Sequence, residues 1–220
     1  MSINVVPANL VDIFVPVSAR IIDRHRLRSY DVSIKLITGG FHMDALKEDA
    51  IMTQKKGLPF IMASVVIWMF IFFLQLGSRS IKATNMLTFM SSCLLMPLAF
   101  FFSKIVKADI FQKTDNPINK MGFLCTMNQM LYILIVMWAF SQKPDAMMML
   151  YAMVFGAHLL PFGWLYNSRG YTFASITETI GALVIATILG NAAAAAFMVV
   201  MEALLTILLI LELRKETQTS

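Results

Sequence analysis

Residues 171–211 read YTFASITETIGALVIATILGNAAAAAFMVVMEALLTILLIL, an apolar run whose charged side chains are Glu178 and Glu202 alone. As a single helix of about 40 residues it would be about 60 Å long, twice the hydrocarbon thickness of a bilayer of about 30 Å. One crossing cannot use that length. A tight turn at Gly190 and Asn191 resolves it into two spans, 171–190 and 192–212. The decisive solvent for this stretch is therefore lipid, and the question becomes how much of the remaining chain follows it.

Working back toward the N-terminus, four more segments have the length and apolarity of a span: 58–76, 84–103, 121–140 and 146–166. Composition agrees, with 58% hydrophobic and 14% charged residues against about 25% charged in a water-soluble domain. The expected fold class is thus all-α, a polytopic transmembrane helical bundle of about six spanning helices with an N-terminal cytoplasmic segment. Comparison of the first three spans with the last three shows no internal repeat, so an inverted-repeat architecture is not indicated.

The net charge of +5 reads as a topology signal. The Lys and Arg residues sit between apolar runs and form no aromatic-interleaved basic face, so nucleic acid is not an expected partner. Sorted by side, fifteen fall with the termini (among them Lys47, Lys55, Lys56, Lys104, Lys107, Lys113, Lys120, Arg169, Arg214 and Lys215) and three on the opposite side (Arg79, Lys82 and Lys143). The positive-inside rule then places both termini in the cytoplasm of a cell membrane. Without the residues before Met43 the count is still ten against three. Trp138, Trp164, Tyr166 and Tyr171 lie near span ends, where interfacial anchors are expected.

The domain reading has four parts. Residues 1–42 are a doubtful extension. Their mixed stretch from Leu10 to Leu27 is broken by Pro16 and suits at most a surface helix; alternatively, Gly39 and Gly40 lie where codons can spell a ribosome-binding sequence ahead of Met43, making the extension a start-site artefact. Residues 43–57 read as a cytoplasmic lead, 58–213 as the six-helix membrane domain and 214–220 as a cytoplasmic tail.

Ionisable side chains inside hydrocarbon are costly, by about 2.5–3.5 kcal/mol on insertion scales, so each one asks for a partner or a purpose. Three stand within the spans: His158, Glu178 and Glu202. Counted from the cytoplasmic ends they lie at similar depth, and Asn128 and Gln129 of the third span join the same layer. Glu178 stands thirteen residues before Asn191 and Glu202 eleven after it, so antiparallel neighbours would hold the two carboxyls within about 3 Å of the same height. Ala174, Glu178, Ala182, Ala186 and Gly190 recur at four-residue spacing, a stripe that admits close approach of another helix, answered by Ala195, Met198, Glu202 and Thr206.

Two carboxylates in a low-dielectric layer cannot both carry charge without help from a shared proton or a cation, and His158 is the candidate to supply or accept that charge. The layer admits a transported proton or small solute, a set of hydrogen bonds that only holds the helices together, or a divalent-metal site. No HExxH-type spacing puts two ligands on one helix, so no metal or other cofactor is assigned. Pro97 and Pro161 each interrupt a span, removing a backbone donor and freeing the carbonyls of Cys93 and Ala157. They are expected kink positions. Met147, Met148, Met149 and Met153 form a group whose thioethers suit either Cu(I) or irregular packing, and packing is the preferred reading. Cys93 and Cys125 lack CxxC spacing, and no catalytic triad or phosphate loop is present.

The stretches QKKGLPFIMASVVIW at 54–68 and HLLPFGWLYNSRGYT at 158–172 resemble a family of small bacterial integral membrane proteins of unknown function. The resemblance runs from Met43 to the C-terminus and implies no activity. The expected function is that of a small transporter or channel-like protein, with a membrane accessory or structural subunit as the alternative. The expected partners are the lipid bilayer and either a second copy or another membrane protein.

Overall fold

Gly190 makes the turn on which the bundle depends. It is the single residue between two long helices, its φ of +88° lies where glycine is favoured, and its N–H still reaches the Ala186 carbonyl at 3.1 Å. The computed structural model describes residues 43–110 and 115–219, with only the backbone given for 217 and 219. All described secondary structure is helical: α1 over 43–54, α2 Leu58–Leu76, α3 Ile81–Ser91, α4 Leu95–Val106, α5 Pro117–Gln142, α6 Pro144–His158, α7 Leu160–Leu165, α8 Arg169–Leu189 and α9 Asn191–Thr219.

Six helical stretches are long and apolar enough to cross a membrane: Met43–Leu76, Ile81–Val106, Pro117–Gln142, Pro144–Leu165, Arg169–Leu189 and Asn191–Glu216. The chain is accordingly a multi-pass, all-α membrane protein. Leu46–Ser220 forms one unit, and of the unit before it only residues 43–45 are described, as the opening of α1. The surface helix and the start-site question raised for residues 1–42 lie outside the described residues.

Helix extends beyond the expected membrane domain at both ends. Residues 43–54, the first part of the expected cytoplasmic lead of 43–57, form α1, in which Ala50 and Ile51 give an apolar face that is buried. The tail from Arg214 continues α9, since no glycine or proline interrupts it before Thr219. Near the two prolines the helical hydrogen bonding changes while the backbone stays right-handed helical. A 3-10 turn at Ser92–Leu94 separates α3 from α4 just ahead of Pro97, and α6 ends at His158 with Leu159 linking it to α7, whose second residue is Pro161.

Four helices make the interior: α9 packs antiparallel on α2 and on α8, and α8 packs on α6. The pair α3–α4 flanks α2, while α5 lies outside, mainly against α6 and α7. Buried residues of α9 include 195, 198, 202, 205 and 209, at the alternating three- and four-residue steps of a helix seam, with 194 and 201 buried beside them. The apolar interior is divided into two clusters. One holds Leu58, Ile61, Leu159, Leu165, Ala174, Leu205 and Leu209. The other holds Ile67, Trp68, Ile71, Met147, Met148, Ala182, Ala195 and Met198.

Candidate functional site

The boundary between those clusters is polar. On α2, Ser64 lies between Ile61 of the first cluster and Trp68 of the second; on α8, Glu178 lies between Ala174 and Ala182; on α9, Glu202 lies between Leu205 and Met198. Ser64 is 1% exposed and both glutamates are 0% exposed. The two carboxyl groups are near enough for direct interaction, as their spacing about Asn191 requires. Gly156 of α6 closes the fourth side: a Cβ there would stand 2.8 Å from Glu178 Cβ and 2.9 Å from the Thr179 nitrogen. Only glycine lets α6 approach α8 this closely at Glu178.

The hydrogen bonds of this layer are unevenly supplied. Ser64 Oγ is in hydrogen-bond contact with the Ile61 carbonyl at 2.7 Å and with Glu202 Oε2. A hydroxyl carries one hydrogen, and the carbonyl can only accept. Both contacts are fully satisfied when Ser64 donates to Ile61 and a protonated Glu202 donates to Ser64. Glu178 Oε1 and Oε2 and Glu202 Oε1 are buried with no hydrogen bond of good geometry, as is Trp68 Nε1, one turn from Ser64 on the same helix. An uncompensated buried polar group costs about 1–3 kcal/mol, more when charged. The arrangement can therefore hold and exchange a proton between two carboxyls, and it leaves acceptors unused.

The other residues expected in this layer stand apart from it. His158 is half-buried; its Nδ1 meets the Phe155 carbonyl of its own helix, and its ring packs edge-on against Phe155 and Phe162. The break at Leu159 leaves it on the last turn of α6, beyond Gly156 where that helix meets Glu178. Asn128 is exposed on α5 and donates to Tyr132 one turn on at 3.0 Å, and Gln129 is half-buried on the same helix. α5 packs mainly on α6 and α7, and neither residue is hydrogen-bonded to Glu178 or Glu202. Among the described residues no three His, Cys, Asp or Glu side chains gather as a metal site would need. Met147 and Met148 are fully buried packing residues.

A second polar centre, not anticipated from the sequence, lies toward the start of α2. Lys56, read as a loop charge, is buried, with its ammonium 2.9 Å from Glu212 and 2.8 Å from Glu216 of α9. Glu212 Oε1 also accepts from the Gly170 N–H at 3.2 Å. Tyr171 donates to the Lys56 carbonyl at 2.7 Å and Tyr166 to Gln54 at 2.5 Å. These tyrosines are 4% and 2% exposed; they are interior residues and not the lipid-facing anchors expected. Trp138 and Trp164 are exposed. The sequence carried two separate hints of it, a Lys-Lys-Gly-Leu-Pro stretch at a helix start and two acidic residues four apart near the end of the last span, with nothing that joined them.

The fold and this site define a class: a six-helix membrane bundle with a carboxyl pair enclosed between two apolar cores. Within that class, the chain belongs to a family of unknown function, DUF7010, whose model matches residues 43–212. No curated protein and no solved structure matches it.

Proposed function

We propose that this protein is a small transporter or channel-like protein whose protonatable centre is Glu178 with Glu202, supported by Ser64, and that it sits with both termini in the cytoplasm. The observation that carries the reading is the set of three buried carboxyl oxygens with no partner beyond the carboxyl pair itself, halfway through a membrane bundle. Intramembrane carboxyls are expensive and commonly mark ion pathways, and hydrogen bonding that favours a protonated Glu202 suits proton exchange. His158 is left out of the centre because its ring packs against Phe155 and Phe162 with Nδ1 on the Phe155 carbonyl, and it makes no hydrogen bond to either carboxyl. The orientation rests on the Lys and Arg asymmetry.

The test is reconstitution into proteoliposomes with a trapped pH indicator and an imposed proton gradient. The parent protein is expected to move protons, alone or with a small solute. Glu178→Gln and Glu202→Gln should each abolish the flux, and undiminished flux in both variants overturns the assignment. A second reading, an accessory subunit pinned together by this layer, is favoured by the full burial of the pair and by the Ser64–Glu202 bond. On that reading the same substitutions change thermal stability or association with a partner, and the isolated protein gives no flux.

A further inference from the structure

The carboxyl pair is enclosed at both ends, but by different chemistry. Toward the start of α6 the seal is apolar and aromatic: Trp68, Ile71, Met147, Met148 and Met198, with the Trp68 ring against Tyr151 and Phe155. Toward the start of α2 it is a thin apolar layer of Leu58, Ile61, Leu205 and Leu209, topped by Lys56 and its two glutamates. Lys56 precedes Ser64 by eight residues and Glu212 follows Glu202 by ten, so the ionic layer stands about 12–15 Å from the carboxyl layer on the same two helices. Its side chains grade from interior to water: Lys56 is 2% exposed, Glu212 25% and Glu216 37%.

The backbone beneath Lys56 is unusual in the same place. Lys55, Lys56 and Gly57 have φ of 49°, 53° and 68°, a left-handed run that only glycine adopts at no steric cost. This run separates α1 from α2 and turns the Lys56 side chain inward. Three ties hold it: Lys56 to α9 through Glu212 and Glu216, the Lys56 carbonyl to α8 through Tyr171, and Glu212 to the first turn of α8 at Gly170. A strained segment over-determined by charge contacts that water can reach is suited to two states.

We infer that Lys56, Glu212 and Glu216 form a latch that closes the approach of water to the Glu178–Glu202 pair from the α1–α2 end. Breaking the ion pairs releases the end of α9 from α2, and the apolar layer beneath it opens. The purpose of the latch rests on the proton-site reading above; its test does not. Cys93 and Cys125 are replaced by alanine, Ser64→Cys is introduced, and the full chain in nanodiscs is reacted with a membrane-impermeant maleimide. Little reaction is expected in this background. Glu216→Gln, which removes one of the two ion pairs, should raise the rate, and Lys56→Met should raise it by at least about tenfold. Lys56→Arg, which keeps the charge, should leave it low.

A rate unmoved by both Glu216→Gln and Lys56→Met, with the unfolding transition retained, overturns the latch. Should Lys56→Met fail to fold, Glu216→Gln decides alone: a faster reaction supports the latch and an unchanged one overturns it. Proton flux is read in the same variants with Ser64 intact: faster labelling without flux there keeps the latch and removes the proton reading. Flux without faster labelling does the reverse.

Discussion

Ser64 meets Glu202 across the contact of α2 with α9 while also meeting the Ile61 carbonyl of its own turn, so one hydroxyl hydrogen serves two oxygens unless Glu202 brings a second. The expected outcome at neutral pH is a protonated-carboxyl carbonyl band in the infrared spectrum of the purified protein. Glu202→Gln should remove or reduce it, and Ser64→Ala should shift it upward as its hydrogen bond is lost. A spectrum with no protonated carboxyl in the parent would sink this hydrogen inventory.

Glu178 gives the clearest separation of stability from function. Its carboxyl meets no group other than the Glu202 carboxyl, so an apolar side chain of similar volume removes a desolvation cost and gives up only the contact between the two carboxyls. Glu178→Met should leave the thermal midpoint in detergent unchanged or raise it, by the equivalent of about 1–3 kcal/mol, while proton flux is lost. A marked fall in the midpoint would mean that Glu178 holds the helices together, as the accessory-subunit reading requires.

Gly156 and Gly122 make a matched pair of tests. An added methyl at Gly156 meets Glu178 Cβ at 2.8 Å and the Thr179 nitrogen at 2.9 Å, both on a helix that cannot rotate aside, whereas at Gly122 the nearest atom is the end of the Leu165 side chain at 3.4 Å. Overpacking of the first kind costs about 1–3 kcal/mol. Gly156→Ala should therefore lower the thermal midpoint clearly and Gly122→Ala hardly at all. Equal effects would show that α6 does not approach α8 at the carboxyl layer.

Much of this arrangement was legible in the sequence because it depends on length and counting. Hydropathy marked the spans, Gly190 marked the hairpin, and residue counts from Asn191 brought Glu178 level with Glu202. Rotation and long-range pairing were not legible. His158 shares the depth of the carboxyls, but the break before Pro161 leaves it among Phe155 and Phe162. Asn128 shares their depth as well, on a helix outside the central four. Lys56 looked like one more positive-inside charge because its partners Glu212 and Glu216 are more than 150 residues away and nothing local announces them.

Tyr171 and Trp164 look alike in sequence, aromatic residues near span ends, yet they should respond differently to substitution. Tyr171 is 2% exposed and its hydroxyl donates to the carbonyl of Lys56, inside the left-handed run. Tyr171→Phe leaves that buried carbonyl short of a donor, at a cost of about 1–3 kcal/mol. Trp164 is 51% exposed, with the Lys47 ammonium 3.6 Å above its ring. Trp164→Phe keeps a ring for the cation and should cost no more than about 0.5–1 kcal/mol, the range of an exposed contact of this kind. Thermal unfolding of the two variants in the same detergent makes the comparison. A larger loss at Trp164 would return Tyr171 to the lipid interface and remove one of the three ties on Lys56; the expected larger loss at Tyr171 places the phenol inside the bundle, where it holds the strained link between α1 and α2.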